Sequence, residues 1–501
     1  MMRTYGRKTI YVDLTEEQLN SMSNRQIEEA IMKLMPNIIE IHESNKAQSK
    51  RLWDYYLGMQ DILYKEKHTR KNINNKIVEN WAYAFTEFKK CWLLGKPIQY
   101  TMLDESSSDE IGLLNKYARL EGKKRKDQEI YEDCLVVGRG FRFQSAQNEE
   151  DEAPFELSNI DREHCEVVYS SKLGKKQLFS VVETELEKTL FVQDEMGNTI
   201  PKVIPYSQYT IYLKNFMFVL EYGTDRENEV IDEKPIIFNT HLITEYYLNR
   251  DRISMIELGK DLFDNVNRLE SLDTDDMEQF VNAILVFTNA LIDEEGLNSI
   301  EEMGAVSIKS TENKQAKVEM LQQRLNASDT QTFYTRLLTS LHQILGIPMA
   351  NDSGSVTSSD TGKGKLVGQG YTSAGIRALG DETMLEDCDR RALKVTLKIC
   401  KLSANSDIKN LLVSDVDIKF NRDMSENLLV KTQGLMNLLS CDIPREYALP
   451  IVNLFSDSNA VVKSMNEKFG EQTPNNQSKS EEVNIQNNKI TKVNQVENQE
   501  Q

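Results

Sequence analysis

Phosphate chemistry comes closest to a foothold at Gly362-Lys363-Gly364-Lys365. A phosphate-cradling loop needs GxxxxGK followed by Ser or Thr, because that hydroxyl binds magnesium. Here Lys363 is followed by Gly364, Thr357 stands where the first glycine belongs, and no hydrophobic strand leads in. Gly138-Arg139-Gly140 holds two of the three glycines of a dinucleotide fingerprint and lacks the third, so it reads as a tight turn at a helix end. The five histidines, His42, His68, His164, His241 and His342, include no HExxH pair and read as surface or helix residues. No GxSxG elbow occurs, and Gly354-Ser355-Val356-Thr357 does not supply one. The six cysteines, Cys91, Cys134, Cys165, Cys388, Cys400 and Cys441, form no CxxC pair and read as free, buried thiols. Asp273, Asp275 and Asp276 would attract a cation by charge, but without EF-hand spacing they read as a surface cluster. The run Glu149 to Glu152 reads as a solvated loop. No catalytic set, cofactor site or metal-ligand set emerges, so a structural or interaction protein is expected rather than an enzyme.

Composition narrows the class further. A chain of 501 residues allows two to four packed regions around sizeable cores. No run of about 18 apolar residues occurs, so no membrane partner is expected. Met1 to Lys8 is basic but lacks an apolar run behind it, so no secretory signal is expected. The formal charge is −19. Proteins that grip DNA carry basic footprints, whereas a like-charged wall lets DNA pass without sticking. An acidic surface also simply keeps a protein soluble, so charge does not decide between these readings.

The elements are mostly helical. Thr15 with Gln18 and Ser23 with Gln26 form capping boxes. Pro36 is expected to break the chain, with a helix from Asn37 to Tyr56 behind it. Ile73, Ile77, Trp81, Phe85, Phe88 and Trp92 fall at steps of three and four and predict one amphipathic helix stopped by Gly95 and Pro97. Between Glu163 and Tyr222, short β-rich runs separated by turns predict an antiparallel region, with one more strand at Pro235–Phe238. A helix is expected from Asp251 through Val281, with Asp273 to Asp276 as a place for a kink. Strands are expected at Ile284–Thr288 and Ala305–Ile308, a helix from Ala316 to Leu345, and a Gly/Ser/Thr loop from Met349 to Lys365. A helix over 371–402, a strand over 415–420 and helices near 425–440, 444–454 and 459–468 follow. Beyond Gly470 the polar composition predicts a disordered tail. No internal repeat occurs, and the fold class is α+β, mostly helical.

Four stretches, in this order, resemble the portal proteins of long-tailed phages of Gram-positive hosts. They are Trp53-Asp54-Tyr55-Tyr56-Leu57-Gly58 with Asn74 to Asn80 and Leu94-Gly95-Lys96-Pro97-Ile98; Lys234 to Asn239; Ile256 to Asn265 continuing through Asp276 to Ala283; and His342-Gln343-Ile344-Leu345-Gly346-Ile347-Pro348 with the loop and helix after it. The resemblance spans roughly residues 40 to 465. It departs from the family pattern at Thr240 to Arg250, which intervene before the stem, and in the long loop after Pro348.

The resemblance implies a ring-forming portal fold with wing, stem, clip and crown. Residues 1–240 would be wing, 241–283 the first stem helix, 284–315 the clip, 316–345 the second stem helix and 346–368 the tunnel loop. Residues 369–423 would return to the wing, 424–470 would form the crown, and 471–501 the tail. It implies a DNA-facing loop carrying Asp352, Ser353, Gly354, Ser358, Asp360, Lys363 and Lys365, and a clip carrying Phe287, Asp293, Glu294, Glu295 and Val306. The implied partners are a homo-oligomeric ring of about twelve copies, double-stranded DNA in the channel, the terminase motor, major capsid and scaffolding proteins, and a head-completion adaptor. The implied place is the capsid vertex of a virion assembled in the bacterial cytoplasm. Two other classes stay open: a nucleic-acid enzyme of the packaging machinery, and a helical adaptor or scaffold that forms no channel.

Overall fold

The computed structural model describes residues 5–68, 71–103, 109–147, 152–193, 199–222, 229–281, 284–288, 290–291, 309–310, 317–321, 327–349, 371–421, 428–441, 443–452, 461–462 and 464–465. The described chain is α+β. Strand β1 (Ile10–Val12) leads to α1 (Glu16–Ser21) and α2 (Asn24–Tyr56). Both helices start at the capping boxes expected, Thr15 with Gln18 and Ser23 with Gln26.

Pro36 does not break the chain, because it lies inside α2, a helix of 33 residues. Its ring sits on the exposed face, and the missing amide costs one helical bond. Burial offsets that loss. Ile27, Ile31, Met35 and Ile38 recur at helical spacing and pack on Phe179, Ile211 and Phe218 of the sheet.

Next come α3 (Trp81–Leu94), β2 (Gln99–Met102), α4 (Asp109–Leu120), α5 (Lys123–Val136), β3 (Gly140–Ala146) and β4 (Phe155–Ile160). The β region holds β5 (Cys165–Ser170), β6 (Gln177–Gln193), β7 (Thr199–Tyr212), β8 (Phe216–Tyr222) and β9 (Glu229–Pro235). With β1 these form a sheet of order β1-β5-β6-β7-β8-β9, in which only β1 runs parallel to its neighbour. The strand expected at Pro235–Phe238 ends at Pro235 instead; Ile236 and Phe238 turn into a core, and the Ile236 amide donates to the Asn215 carbonyl at 2.7 Å.

Strand β10 (Ile243–Tyr246) completes a second sheet of order β10-β3-β4. Helix α6 (Met255–Val281) starts later than expected. Ser254 and Glu257 set its start reciprocally: the Glu257 amide donates to Ser254 Oγ at 3.0 Å and the Ser254 amide to Glu257 Oε2 at 2.8 Å. Its run is unbroken through Asp273–Asp276. Strand β11 (Ile284–Thr288) forms as expected, followed by β12 (Ala290–Leu291), β13 (Lys309–Ser310) and β14 (Lys317–Leu321). Residues 317–321 are therefore strand, not helix, because β11 offers them an antiparallel partner. Helix α7 (Ala327–Leu345) then leads, beyond the undescribed 350–370, to α8 (Tyr371–Leu402), β15 (Val416–Lys419), α9 (Leu428–Ser440) and α10 (Arg445–Val452). Strand β15 pairs with β2.

The largest core joins α3, α5, α6, α7 and α8 through Phe85, Tyr131, Phe263, Leu341 and Leu385. A second lies between α8 and the β2–β15 and β4 strands, and a third lies under α2. Cys134, Cys165, Cys388 and Cys400 are buried as expected, while Cys91 and Cys441 are exposed; all six are free.

Candidate functional site

The element that organises the rest is the α6–α7 pair. The β11–β14 ladder, pairing Ile284 with Leu321, joins the end of α6 to the start of α7, so the two helices run antiparallel. Phe263 and Val266 of α6 pack in one core with Leu337, Leu341 and Leu345 of α7. His342 sets its ring edge on Phe85, 4.9 Å between centroids, and its Nδ1 lies 3.3 Å from the Ile347 carbonyl oxygen.

Along α6 runs a strap that sequence reasoning assigned to a helix. Residues 73–80 are extended, and α3 begins only at Trp81. The reason lies in where their amides go. Asn75 donates its backbone amide to Asp275 Oδ1 at 2.7 Å, Ile77 to Ser271 Oγ at 2.9 Å and Glu79 to Asn267 Oδ1 at 2.8 Å. Two residues of extended chain advance about 6.6 Å and four residues of helix about 6.0 Å. Every second strap amide thus meets every fourth α6 side chain. All three acceptors are fully buried. Asn80 ends the strap by capping α3, its Oδ1 accepting from the Tyr83 amide at 3.2 Å.

Asp275 is therefore no surface residue. Lys65 and Lys67 place their ammonium groups 2.7 and 3.2 Å from its Oδ2. Burial alone would raise its pKa, but these bonds and the Asn75 amide outweigh it and hold the carboxyl at about 2. Glu79 ties the strap to α7, since its Oε2 accepts from Trp81 Nε1 at 2.6 Å and from the Tyr334 hydroxyl at 2.8 Å.

The outer face of α7 has a different chemistry. Ser328, Gln331, Thr332, Thr335, Arg336, Thr339, Ser340 and Gln343 line an open groove of about 680 Å³. Thr332, Thr335, Thr339 and Ser340 donate their hydroxyls to carbonyls four residues back, at 2.7 to 2.9 Å. What remains is a surface of small polar side chains with one cation, Arg336, and no carboxylate in its lining. Helix α6 exposes Leu258, Leu272 and Met277.

A second concentration of charge holds α2 to the sheets. Arg139 grips Glu166 with two bonds of 2.6 Å. His42 bridges Glu166 (3.4 Å) and Glu183 (3.0 Å). Burial would lower the His42 pKa; the two carboxylates outweigh it and raise it to about 9. His164, Glu183 and Glu185 bring their donor atoms within 4.8 Å of one another. The Lys46 ammonium, 2.7 Å from Glu183 and 2.5 Å from Glu185, already takes the place of a cation there. So His42 is a helix residue, as expected, but not a surface one: it is the centre of a buried ion cluster. Gly138 ends α5 with φ +95°, the turn expected of Gly138-Arg139-Gly140.

The named loop residues Asp352, Ser353, Gly354, Ser358, Asp360, Lys363 and Lys365 lie outside the described residues, as do Asp293, Glu294, Glu295 and Val306, expected in a clip, and the strand expected at 305–308. Phe287 is in β11, opposite Val318. The strap and the hydroxyl face of α7 were missed. The first had a signal in Asn267, Ser271 and Asp275, polar residues at four-residue spacing on the buried side of an amphipathic helix.

The geometry is that of long helices braced by a strap, with no catalytic constellation among the described residues. The comparison with known families supplies the class: the family described as phage portal protein, SPP1 Gp6-like, matches residues 36–475, and the chain belongs to it. The family is a structural one whose members form a ring at the capsid vertex and take part in DNA packaging. No curated protein matches the chain. Among the described residues no helix is long and apolar enough to cross a membrane.

Proposed function

We propose that this chain is the portal subunit of a long-tailed phage of a Gram-positive host, closing into a ring of about twelve copies through which double-stranded DNA is packaged and ejected. The observation that carries the reading is the antiparallel α6–α7 pair, bound to the N-terminal region by the strap. Such a pair suits a stem: α6 spans about 40 Å and its exposed leucines and methionine suit a neighbouring subunit.

Residues 241–283 and 316–345 are the stem segments, their helical parts being α6 and α7, while β10 within the first pairs with β3. Residues 284–315 are the clip, meeting the terminase motor and later the head-completion adaptor. Residues 1–240 and 369–423 are wing, toward the capsid and scaffolding proteins. Residues 424–470 are crown, and 346–368 the tunnel loop. The hydroxyl-rich face of α7 supports a surface that DNA passes without sticking, since Arg336 is the one cation in its lining to hold phosphates.

Deleting 353–364 tests the assignment. Ring assembly is expected to survive while DNA packaging or retention falls. Loss of rings would place this loop in the subunit interface. Nucleotide hydrolysis by the purified chain would favour the packaging enzyme instead.

A further inference from the structure

Strands β6 and β7 outrun their sheet. Strand β5 leaves β6 after pairing Cys165 with Val182, and β8 leaves β7 after pairing Tyr222 with Ser207. The β6–β7 register nevertheless continues unbroken to Gln193 opposite Thr199. From Leu186 opposite Tyr206 onward the two strands form a ribbon about 26 Å long, and no other strand of the described residues pairs with it. A two-stranded ribbon is marginal in water by itself.

Its two edges differ. Glu183 turns its amide away from β7, donating to the His164 carbonyl at 2.8 Å. Amides alternate along an antiparallel strand. The amides of Glu185, Glu187, Thr189, Phe191 and Gln193 therefore face the same outer side. No proline interrupts this edge. On β7 the outer edge carries Pro201, opposite Phe191, and Pro205, opposite Glu187, so two donors are missing there. The ribbon can accept a strand on its β6 side and resists one on its β7 side.

We propose that the free β6 edge, residues 184–193, pairs with an extended segment of a second copy of this chain. The choice of occupant rests on the portal reading, in which each subunit meets identical neighbours. One open edge and one proline-interrupted edge limit pairing to the β6 side. Where a different segment of the neighbour fills that edge the contact is head-to-tail, the kind that closes a ring, whereas two β6 edges pairing with each other give only a two-fold dimer.

Hydrogen exchange on the full chain, in rings and in unassembled subunits, tests this with two matched variants. Thr189→Pro removes an outward amide of β6 and leaves the ribbon's own ladder intact. Val203→Pro does the same on β7, the edge already interrupted. In the unmodified ring, exchange over 184–193 is expected to slow by on the order of tenfold or more relative to the free subunit. Thr189→Pro is expected to abolish that protection and lower ring yield, and Val203→Pro to leave both unchanged. Rings whose 184–193 amides exchange as fast as in the free subunit, or equal loss in both variants, would overturn the contact and spare the portal reading. A chain that stops at monomers or two-fold dimers would overturn both.

Discussion

Asp275 does the work of a residue far larger than itself. Its two oxygens accept from the Asn75 amide, the Asn75 side chain, Lys65 and Lys67. Asp275→Ala removes the acceptor of the Asn75 amide and of Lys67, while Lys65 keeps the Asn75 carbonyl and the Asn75 side chain keeps Glu278; a loss of about 2–4 kcal/mol is expected, read as a lower urea midpoint. The pH dependence has a definite sign. The folded pKa, about 2, lies below the ordinary 3.8, so the contribution is full above about pH 4 and fades as pH falls toward 2. The variant should be less acid-sensitive over that window; an unchanged acid profile would deny Asp275 this role. His42 works in the opposite sense. Its folded pKa, about 9, lies above the ordinary 6.5, so its contribution is full below about pH 6.5 and lost as pH rises through 9. His42→Gln should flatten the stability profile between those values. If the slope persists in the variant, another group causes it.

At the scale of the element, the continuity of α2 through Pro36 makes a prediction. A proline in a helix interior costs about 3 kcal/mol, and this one touches no core. Pro36→Ala is expected to raise Tm and to stabilise by roughly 1–3 kcal/mol; a fall in Tm would mean that a bend at this point is needed for packing. The same position shows where sequence reading stops. The capping boxes, α8, β15 and the strands with alternating apolar residues were legible because their signals are local. Pro36 misled because long-range burial of Ile31 and Met35 outweighs a local penalty. The apolar spacing of Ile73 and Ile77 misled because their segment finds its hydrogen-bond partners some two hundred residues away on α6. Strands β3 and β10 were hidden by buried polar residues. Arg142 pairs with Asp127, and Glu245 with Arg252, so charges stand where apolar residues would have announced a core. Of the candidate site, α6 and the part of α7 from 327 to 345 were legible from their periodicity. The strap depends on a match of helical and extended spacing between distant segments, which no single window contains.

For the whole molecule, the account is one of assembly. The buried ion clusters and the strap tie the elements of the subunit together, and α6 exposes Leu258, Leu272 and Met277. On the proposed portal reading, these side chains and the β6 edge meet other copies of the chain. The most direct measurement is the mass of the purified full-length protein in solution, with electron micrographs of the same sample. A closed ring of about twelve subunits around a central hole is what the account predicts. A monodisperse monomer or two-fold dimer at high concentration, with no ring in the images, would contradict it and favour an adaptor or scaffold that forms no channel.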